Sequence, residues 1–282
     1  MVNFNGNILP ADSFFLNQRN RGLRYGDALS ESLRAIGGKL VFWEDHYLKL
    51  MASMRILRME IPMEFTMDFL ENQILITLRE NGLNNTAALV DIVIFRDANG
   101  SIFPESNKVA FLMEVNKLDS SKYCLANNPY EVELFKDFYV SGDMLSTLKT
   151  NNNLLQVTAS IFAKENGYAD CLLLNHNKMV VGSLIGNLFL IVGDLVKTAP
   201  VADGCKNSVI REKIIKVIND SDDFKLEKKS ISPFELQKAD ELFVVDIGQG
   251  LTPISKYRKK KYASENSKKI LEKINEIART EI

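Results

Sequence analysis

The sequence has few of the residues that build disulfide-rich or metal-stabilised folds. Its 282 residues include three cysteines and two histidines. Cys124, Cys171 and Cys205 are far apart in the sequence and form no Cys-x-x-Cys pair, so neither a disulfide framework nor a zinc knuckle is predicted. His46 and His176 do not have the spacing of metal ligands, and we expect no metal site. This cysteine usage fits a reducing compartment.

Net charge and long apolar runs are also lacking. The formal net charge is -1, which gives no electrostatic attraction to nucleic acid or to an anionic membrane. No stretch approaches the run of about 18 apolar residues that a membrane-spanning helix needs. Residues 1–6 contain no basic segment of the kind that opens a secretory signal. We therefore expect a cytoplasmic protein that binds neither nucleic acid nor membrane.

Several common catalytic motifs are absent as well. The sequence contains no P-loop, no Rossmann glycine pattern, no Ser-His-Asp set and no internal repeat. The remaining composition, with 46% hydrophobic and 25% charged residues, is typical of a soluble protein. A chain of this length is long enough to form two domains.

The first part of the chain has the pattern of an α+β domain. Asn5-Gly6-Asn7 predicts a hairpin turn, and alternation that continues through Gly37-Gly38 predicts a second hairpin. Helical spacing and alternating runs predict two helices, near residues 45–61 and 69–81, and two strands, at residues 87–95 and 109–115. Since strands and helices are mixed here, residues 1–120 are predicted to form a small N-terminal α+β domain.

A polar stretch at residues 116–129 is the predicted linker to a larger domain, residues 121–282. The periodicity predicts helices at 154–165, 207–218 and 265–278, and strands at 171–174, 179–182, 187–192 and 242–245. Ser232-Pro233-Phe234-Glu235 has the composition of a helix start. Lys149 lies just before the first of these helices, a position that suits a lysine able to form a Schiff base.

Five short motifs follow one another along the chain, and their order and spacing together resemble those of a known family. They are Asn20-Arg21-Gly22-Leu23-Arg24-Tyr25-Gly26-Asp27, Glu44-Asp45-His46-Tyr47, Leu148-Lys149-Thr150, Asn187-Leu188-Phe189 and Gly250-Leu251-Thr252-Pro253-Ile254. Over nearly its whole length the chain resembles the class IV aminotransferases, which use pyridoxal 5'-phosphate (PLP) and include branched-chain and D-amino acid aminotransferases and aminodeoxychorismate lyase. The resemblance implies the fold-type IV architecture, with a small α/β sandwich and a larger C-terminal pseudo-barrel with helices.

The resemblance assigns the lysine and the phosphate contacts of the cofactor. Lys149 matches the lysine that bonds to the PLP aldehyde and moves the proton. Lys49 stands where the family has an arginine that binds the phosphate. Lysine keeps the positive charge but lacks the planar guanidinium, which binds a phosphate through two parallel hydrogen bonds. The amides of Val209 and Ile210 match the phosphate-binding helix start, but Ile210 replaces a threonine. Ile247, which follows Asp246, lies in a loop that normally offers small or hydroxyl residues.

The contacts to the cofactor ring depart further from the family. The glutamate that keeps the pyridine nitrogen protonated is five residues before the Asn of the Asn-x-Phe motif, and this position is Gly182. Without an acid there, the ring becomes a weaker electron sink. Asn153 stands in the place of a tyrosine that bonds to the phenolate, and its amide can still donate one hydrogen bond.

The predicted substrate contacts lie in the first domain. Arg96 ends a predicted strand and is the candidate for the substrate carboxylate, although a surface ion pair is an equal alternative. Tyr25 and Glu31 belong to motifs that match the family's substrate side, and Ser30 replaces an aromatic residue that lines the pocket.

The resemblance implies an enzyme that transfers an amino group between an amino acid and a 2-oxo acid, most similar to the branched-chain group. It also implies a homodimer with the active site between the two domains. Two alternatives to this aminotransferase remain open at this point. One is a family member with impaired catalysis that serves as a binding or regulatory protein. The other is a PLP-dependent lyase related to aminodeoxychorismate lyase.

Overall fold

A computed structural model describes residues 1–14, 16–125 and 129–281. The chain divides into two compact units. The first contains Met1–Ser121, Lys149–Asn152 and Ala278–Ile282, and the second contains Lys122–Leu148 and Asn153–Ile277. Residues 126–128 of the predicted linker lie outside the described residues. No sequence pattern indicated that the short segment beginning at Lys149 would belong to the first unit.

The first unit is built on a six-stranded sheet with the order β2-β1-β6-β5-β3-β4. Its strands are β1 (Val2–Phe4), β2 (Asn7–Leu9), β3 (Ala28–Ile36), β4 (Lys39–Leu40), β5 (Ala87–Arg96) and β6 (Val109–Lys117). Its helices are α1 (Arg21–Tyr25), α2 (Trp43–Ile56) and α3 (Met67–Glu80). The long antiparallel pairing of β3 with β5 fixes which side chains share a face.

One face of this sheet packs against α2 and α3. Side chains alternate between the two faces of a strand, and Leu33 on β3 with Val90 and Ile92 on β5 point to the helices. Leu50 of α2 and Ile74 of α3 lie in the same buried cluster. Each of these burials contributes about 1.5–3 kcal/mol relative to an exposed side chain. The intervening residues of β3, which include Ser30 and Ser32, therefore lie on the other face of the sheet.

The second unit contains two five-stranded sheets, with the orders β12-β11-β10-β13-β14 and β16-β15-β7-β8-β9. The strands of both sheets are β7 (Glu131–Leu134), β8 (Asp170–Leu174), β9 (Val180–Ser183), β10 (Asn187–Val192), β11 (Leu195–Thr198), β12 (Lys225–Lys228), β13 (Glu241–Asp246), β14 (Gly250–Pro253), β15 (Lys256–Tyr257) and β16 (Lys260–Lys261). The helices are α4 (Leu154–Glu165), α5 (Val209–Asn219), α6 (Pro233–Leu236) and α7 (Glu265–Thr280), with single 3-10 turns at Leu145–Thr147 and Val201–Asp203.

The α+β fold class is confirmed, and the predicted helices and strands are present. The elements that were not predicted are α1, β7, β11, β12, β14, β15 and β16. The capping box at α6 is present, with Ser232 and Glu235 satisfying each other's backbone groups. Two differences have local causes. The second hairpin returns only through β4, because Trp43 already begins α2. The helix predicted from residue 207 begins at Val209, because Ser208 caps it.

No helix among the described residues is long and apolar enough to cross a membrane. The described part of the chain also holds no group of three or more His, Cys, Asp or Glu side chains arranged to bind a metal ion.

Candidate active site

Lys149 is held at the edge of β3 in the first unit. The Ser30 amide donates to the Lys149 carbonyl at 2.7 Å, and the Asn151 amide donates to the Ala28 carbonyl at 3.1 Å. Leu29 and Thr150 form an antiparallel bridge between these bonds. Because side chains alternate along paired strands, the Lys149 side chain emerges on the sheet face that α2 and α3 leave uncovered.

A chain of hydrogen bonds begins at the Lys149 amine. Its Nζ donates to Ser32 Oγ, and this hydroxyl donates to Asp91 Oδ1. Ser32 on β3 lies directly opposite Asp91 on β5 in the strand register. Neither residue was predicted as part of the site. The available signal was the polar run Ser30-Glu31-Ser32 on β3 and Asp91 inside the otherwise apolar run of β5.

Lys49 lies on the opposite face of β3, in a cluster with Glu31 and His46. Glu31 Oε2 accepts from Lys49 Nζ at 2.5 Å, and Glu31 Oε1 is 2.7 Å from His46 Nδ1. Burial opposes ionisation of Glu31, but the charge of Lys49 and the His46 contact outweigh it, so the pKa of Glu31 lies below its ordinary value. The cluster therefore contains a buried carboxylate whose charge is matched by Lys49. The phosphate role of Lys49 stays a prediction.

Arg96 is buried in a network of its own. Its Nε donates to Asp27 Oδ2 at 3.0 Å, and one terminal nitrogen donates to Asn107 Oδ1 at 2.6 Å. The other terminal nitrogen donates to the Leu57 carbonyl at 2.8 Å. All three guanidinium nitrogens thus have partners within the first unit. Arg96 therefore forms a buried ion pair and not the surface pair that was the alternative, because the first unit encloses its guanidinium. A contact with a substrate carboxylate stays a prediction.

Tyr25 ends α1 beside the same ion pair. The guanidinium of Arg21, which bonds to Asp27 at 2.8 Å, lies 4.9 Å from the centre of the Tyr25 ring. Arg24 also lies over the ring, at 5.5 Å. These contacts hold the ring against α1. The substrate role of Tyr25, like that of Glu31, stays a prediction.

The start of α5 in the second unit has free backbone donors. Ser208 accepts a hydrogen bond from the Arg211 amide at 3.2 Å and so satisfies one of the first amides of the helix. The amides of Val209 and Ile210 make no hydrogen bond within the described part of the chain, and both residues are buried. Free amides at a helix start are the usual binding site of a phosphate.

Asn187 of the Asn-x-Phe motif fixes this helix start. Its amide nitrogen donates to the Lys206 carbonyl at 2.7 Å, and its oxygen accepts from Ser208 Oγ at 2.7 Å. Asn187 is itself buried at the beginning of β10. The sequence motif was recognisable, but its physical role becomes clear only from these contacts.

Replacing Asn187 with alanine is expected to destabilise the protein and loosen the helix start. Loss of two partly buried hydrogen bonds should lower the free energy of unfolding by about 2–4 kcal/mol, because the remaining groups lose their partners. Urea denaturation measures this, and pyridoxamine phosphate titration should show weaker binding. Asn166→Ala, at the exposed end of α4, is the control and should change neither quantity appreciably. Unchanged ligand affinity in Asn187→Ala would mean that the amides keep their positions without it.

The remaining predicted cofactor residues offer few polar groups. Gly182 lies on β9, and a Cβ added there would approach the Gly186 carbonyl oxygen to 2.8 Å, which the backbone would have to relieve. Asn153 precedes α4 and is exposed, with no capping bond from its side chain. Ile247 is half-buried in the turn after β13, where Asp246 accepts from the Gly248 amide at 2.8 Å.

An acid does lie on the strand next to β9, but its oxygens already have partners. Asp170 begins β8 and accepts from the amide of Leu184 at 3.1 Å and from the Tyr130 hydroxyl at 2.8 Å. Burial raises the pKa of Asp170, and hydrogen bonds led by that of Ser183 offset this only in part. These contacts stabilise the turn that follows Gly182. Asp170 therefore does not serve as a free acid in place of the glutamate that the family has at position 182.

The fold is that of the fold-type IV aminotransferases. The model of the family described as amino-transferase class IV matches residues 28–257. The chain belongs to this family.

Individual relatives and solved structures agree with this assignment. A putative branched-chain-amino-acid aminotransferase of Methanocaldococcus jannaschii is 24% identical over 98% of this chain and 96% of its own. The aminodeoxychorismate lyase of Vibrio harveyi is 23% identical over 84% and 85%. The branched-chain aminotransferase of Thermoproteus uzoniensis with norvaline superposes with a TM-score of 0.89 at 23% identity, covering 99% of this chain and 95% of that one. The branched-chain aminotransferase of Thermobaculum terrenum in its PLP form has a TM-score of 0.84 at 17% identity, covering 100% and 94%.

Family membership implies PLP, and two features of the structure fit it. The Lys149 side chain is exposed and suits the aldehyde. The buried amides of Val209 and Ile210 suit the phosphate. At Gly182 the fit fails, because glycine offers no acid to the ring nitrogen.

Proposed function

We propose that the protein transfers amino groups between an amino acid and a 2-oxo acid with PLP as cofactor, in the manner of the branched-chain group. The observation that carries the proposal is the Lys149 amine, exposed at the sheet edge and held by Ser32. The three cysteines form no disulfide among the described residues, a usage that fits a cytoplasmic location.

Each residue has a defined task in this proposal. PLP, when bound, supplies the aldehyde that takes up the amino group and a ring that accepts electrons. Lys149 would hold the cofactor through its aldehyde, and the Lys149 amine would serve as the acid and base for the proton at the substrate's Cα. The amides of Val209 and Ile210 would bind the phosphate, and Asn187 keeps the helix start in place. Without an acid at Gly182, we expect catalysis slower than in members that have one.

A second candidate function is a family member that binds a ligand but catalyses poorly. Two observations favour it. The Gly186 carbonyl occupies the space into which a side chain at position 182 would extend. Lys49 is paired with the buried Glu31, so its charge is already matched within the first unit. Both observations weaken contacts that efficient PLP chemistry uses.

The purified wild-type protein tests the proposal directly. PLP added in excess should produce an absorption band that borohydride converts into a stable adduct on Lys149, found by peptide mass analysis. Amino acids should then bleach the band and yield 2-oxo acids. Adduct formation without amino transfer would support the binding protein, and pyruvate release without an amino acceptor would support the lyase. If neither band nor adduct forms at saturating PLP, the proposal is wrong.

We also propose that the chain forms a homodimer. Leu154, Val157 and Ile161 are spaced along one side of α4, and between 50% and 76% of each is exposed. An apolar stripe of this kind is costly in water and is typical of a surface that another protein covers. A second copy of the chain is the partner that family membership favours.

Changing Val157 to aspartate is expected to weaken this dimer. A charge placed at a covered apolar surface loses its hydration, so the dissociation constant should rise by at least about tenfold, which corresponds to about 1.4 kcal/mol. Light scattering coupled to size-exclusion chromatography over a dilution series measures it. Ser160→Asp, at an exposed position beside the stripe, adds the same charge and should have a smaller effect. A monomeric wild-type protein would contradict the proposal.

A further inference from the structure

The face of the first sheet opposite α2 and α3 carries a polar row next to Lys149. The side chain of Ser32 extends from β3 and that of Asp91 from β5, directly opposite each other. Ser32 is only 5% exposed, so packing of the sheet fixes its hydroxyl. Nothing in the assigned chemistry of the site uses either residue.

We propose that Ser32 and Asp91 are positioning residues that orient the Lys149 amine for its reaction with the cofactor aldehyde. The inference rests on the proposed function and adds to it. A hydroxyl can accept a hydrogen bond from an amine and donate its own proton at the same time. Ser32 makes both bonds, so Asp91 fixes the direction of the hydroxyl and the hydroxyl fixes the amine.

Such a constraint matters because a lysine side chain is flexible. It has many rotamers, so a free amine samples many directions in which it cannot attack a bound aldehyde. The backbone of Lys149 is already fixed by its bonds to β3. Ser32 and Asp91 extend that order to the end of the side chain, which is the atom that reacts. Correct alignment of reacting groups is a large contribution to catalytic rates.

Trapping experiments with the full-length protein test the proposal. The rate of borohydride-trapped PLP adduct on Lys149 should fall by about tenfold in Ser32→Ala and in Asp91→Asn, because alignment is lost. Ser32→Thr keeps the hydroxyl on a β-branched side chain that suits a strand and should stay close to wild type. Pyridoxamine phosphate, which has no aldehyde, should bind all variants equally, because only the lysine is disturbed.

Glu114 provides the matched control for Asp91. It lies opposite Asp91 in the β5–β6 register and is exposed. Glu114→Gln removes one negative charge from the same sheet face and leaves the hydrogen bonds of Ser32 intact, so the adduct rate should not change. A similar loss in Glu114→Gln and Asp91→Asn would indicate a general charge effect and overturn the positioning role.

A cofactor-free measurement separates this inference from the proposed function. Reductive methylation by formaldehyde and cyanoborohydride modifies amines from any direction, and peptide mass analysis gives the rate at Lys149. We expect methylation of Lys149 to be about threefold faster in Ser32→Ala, because the amine no longer has to leave a hydrogen bond. Ser32→Thr should restore the slow rate. Equal methylation rates in wild type and Ser32→Ala would overturn the inference whether or not PLP binds, whereas a wild type that forms no PLP adduct contradicts only the proposed function.

Discussion

Replacing Lys149 with arginine should abolish the covalent PLP adduct and lower amino transfer by at least about a thousandfold, because the guanidinium stays protonated and is not a nucleophile. Arginine keeps the positive charge, so the change tests the nucleophile and not the local electrostatics. Borohydride trapping with mass analysis measures the adduct. Single-turnover reaction of the loaded protein with an excess of amino acid measures the transfer.

Lys164→Arg is the control for this prediction. Lys164 is exposed near the end of α4, and an exposed lysine of ordinary reactivity should not affect the adduct. An adduct that forms equally well on Lys149→Arg would show that another lysine reacts with the cofactor. In that outcome the assignment of Lys149 is wrong, whatever activity the protein retains.

Removing the charge of Lys49 is expected to have the largest effect on stability. Lys49→Met leaves the Glu31 carboxylate buried with a contact to His46 as its remaining side-chain partner among the described residues. Breaking one side of a buried ion pair costs about 3–5 kcal/mol, since the other charge stays desolvated. Urea denaturation at pH 7 measures the free energy of unfolding. The double variant Lys49→Met with Glu31→Gln removes both charges and should recover a large part of the loss.

The pH dependence gives the same cluster a second test. The pKa of Glu31 is lowered from 4.5 in the folded protein, so its ionised form stabilises the fold above pH 4.5. This contribution is lost as the pH falls through the folded pKa. Wild-type stability should therefore decrease on acidification below pH 4.5, and the Glu31→Gln variant should lose this component. Identical acid profiles for the two proteins would contradict the ion pair.

Local patterns predicted most of the elements because local physics determines them. The capping box at Ser232, the helix after Asn153 and the turn at Asn5-Gly6 depend on residues close in sequence. The contact between Lys149 and Ser32 depends on the pairing of residue 150 with residue 29, which no local pattern encodes. For the same reason, Asp91 was not predicted beside the lysine. Its position follows from the β3–β5 register.

The assignments of Lys149 and of the Val209 helix start to the cofactor came from the order and spacing of motifs, and they stay predictions. The pairing of Lys49 with Glu31 was not predicted, because both residues had been assigned separate roles on a ligand. The anchoring role of Asn187 also required the structure, since its partners are 19 and 21 residues further along the chain.

The way Lys149 is attached to β3 has a consequence for hydrogen exchange. The segment Lys149–Asn152 joins the strand through two backbone bonds described above, whereas β3 and β5 pair over nine residue positions. Opening the short segment therefore needs much less free energy than opening the strand beneath it. The amides of Ser30 and Asn151 should exchange with solvent deuterium well before those in the β3–β5 ladder. Lys149 is thus carried by a segment that can detach while the sheet remains folded.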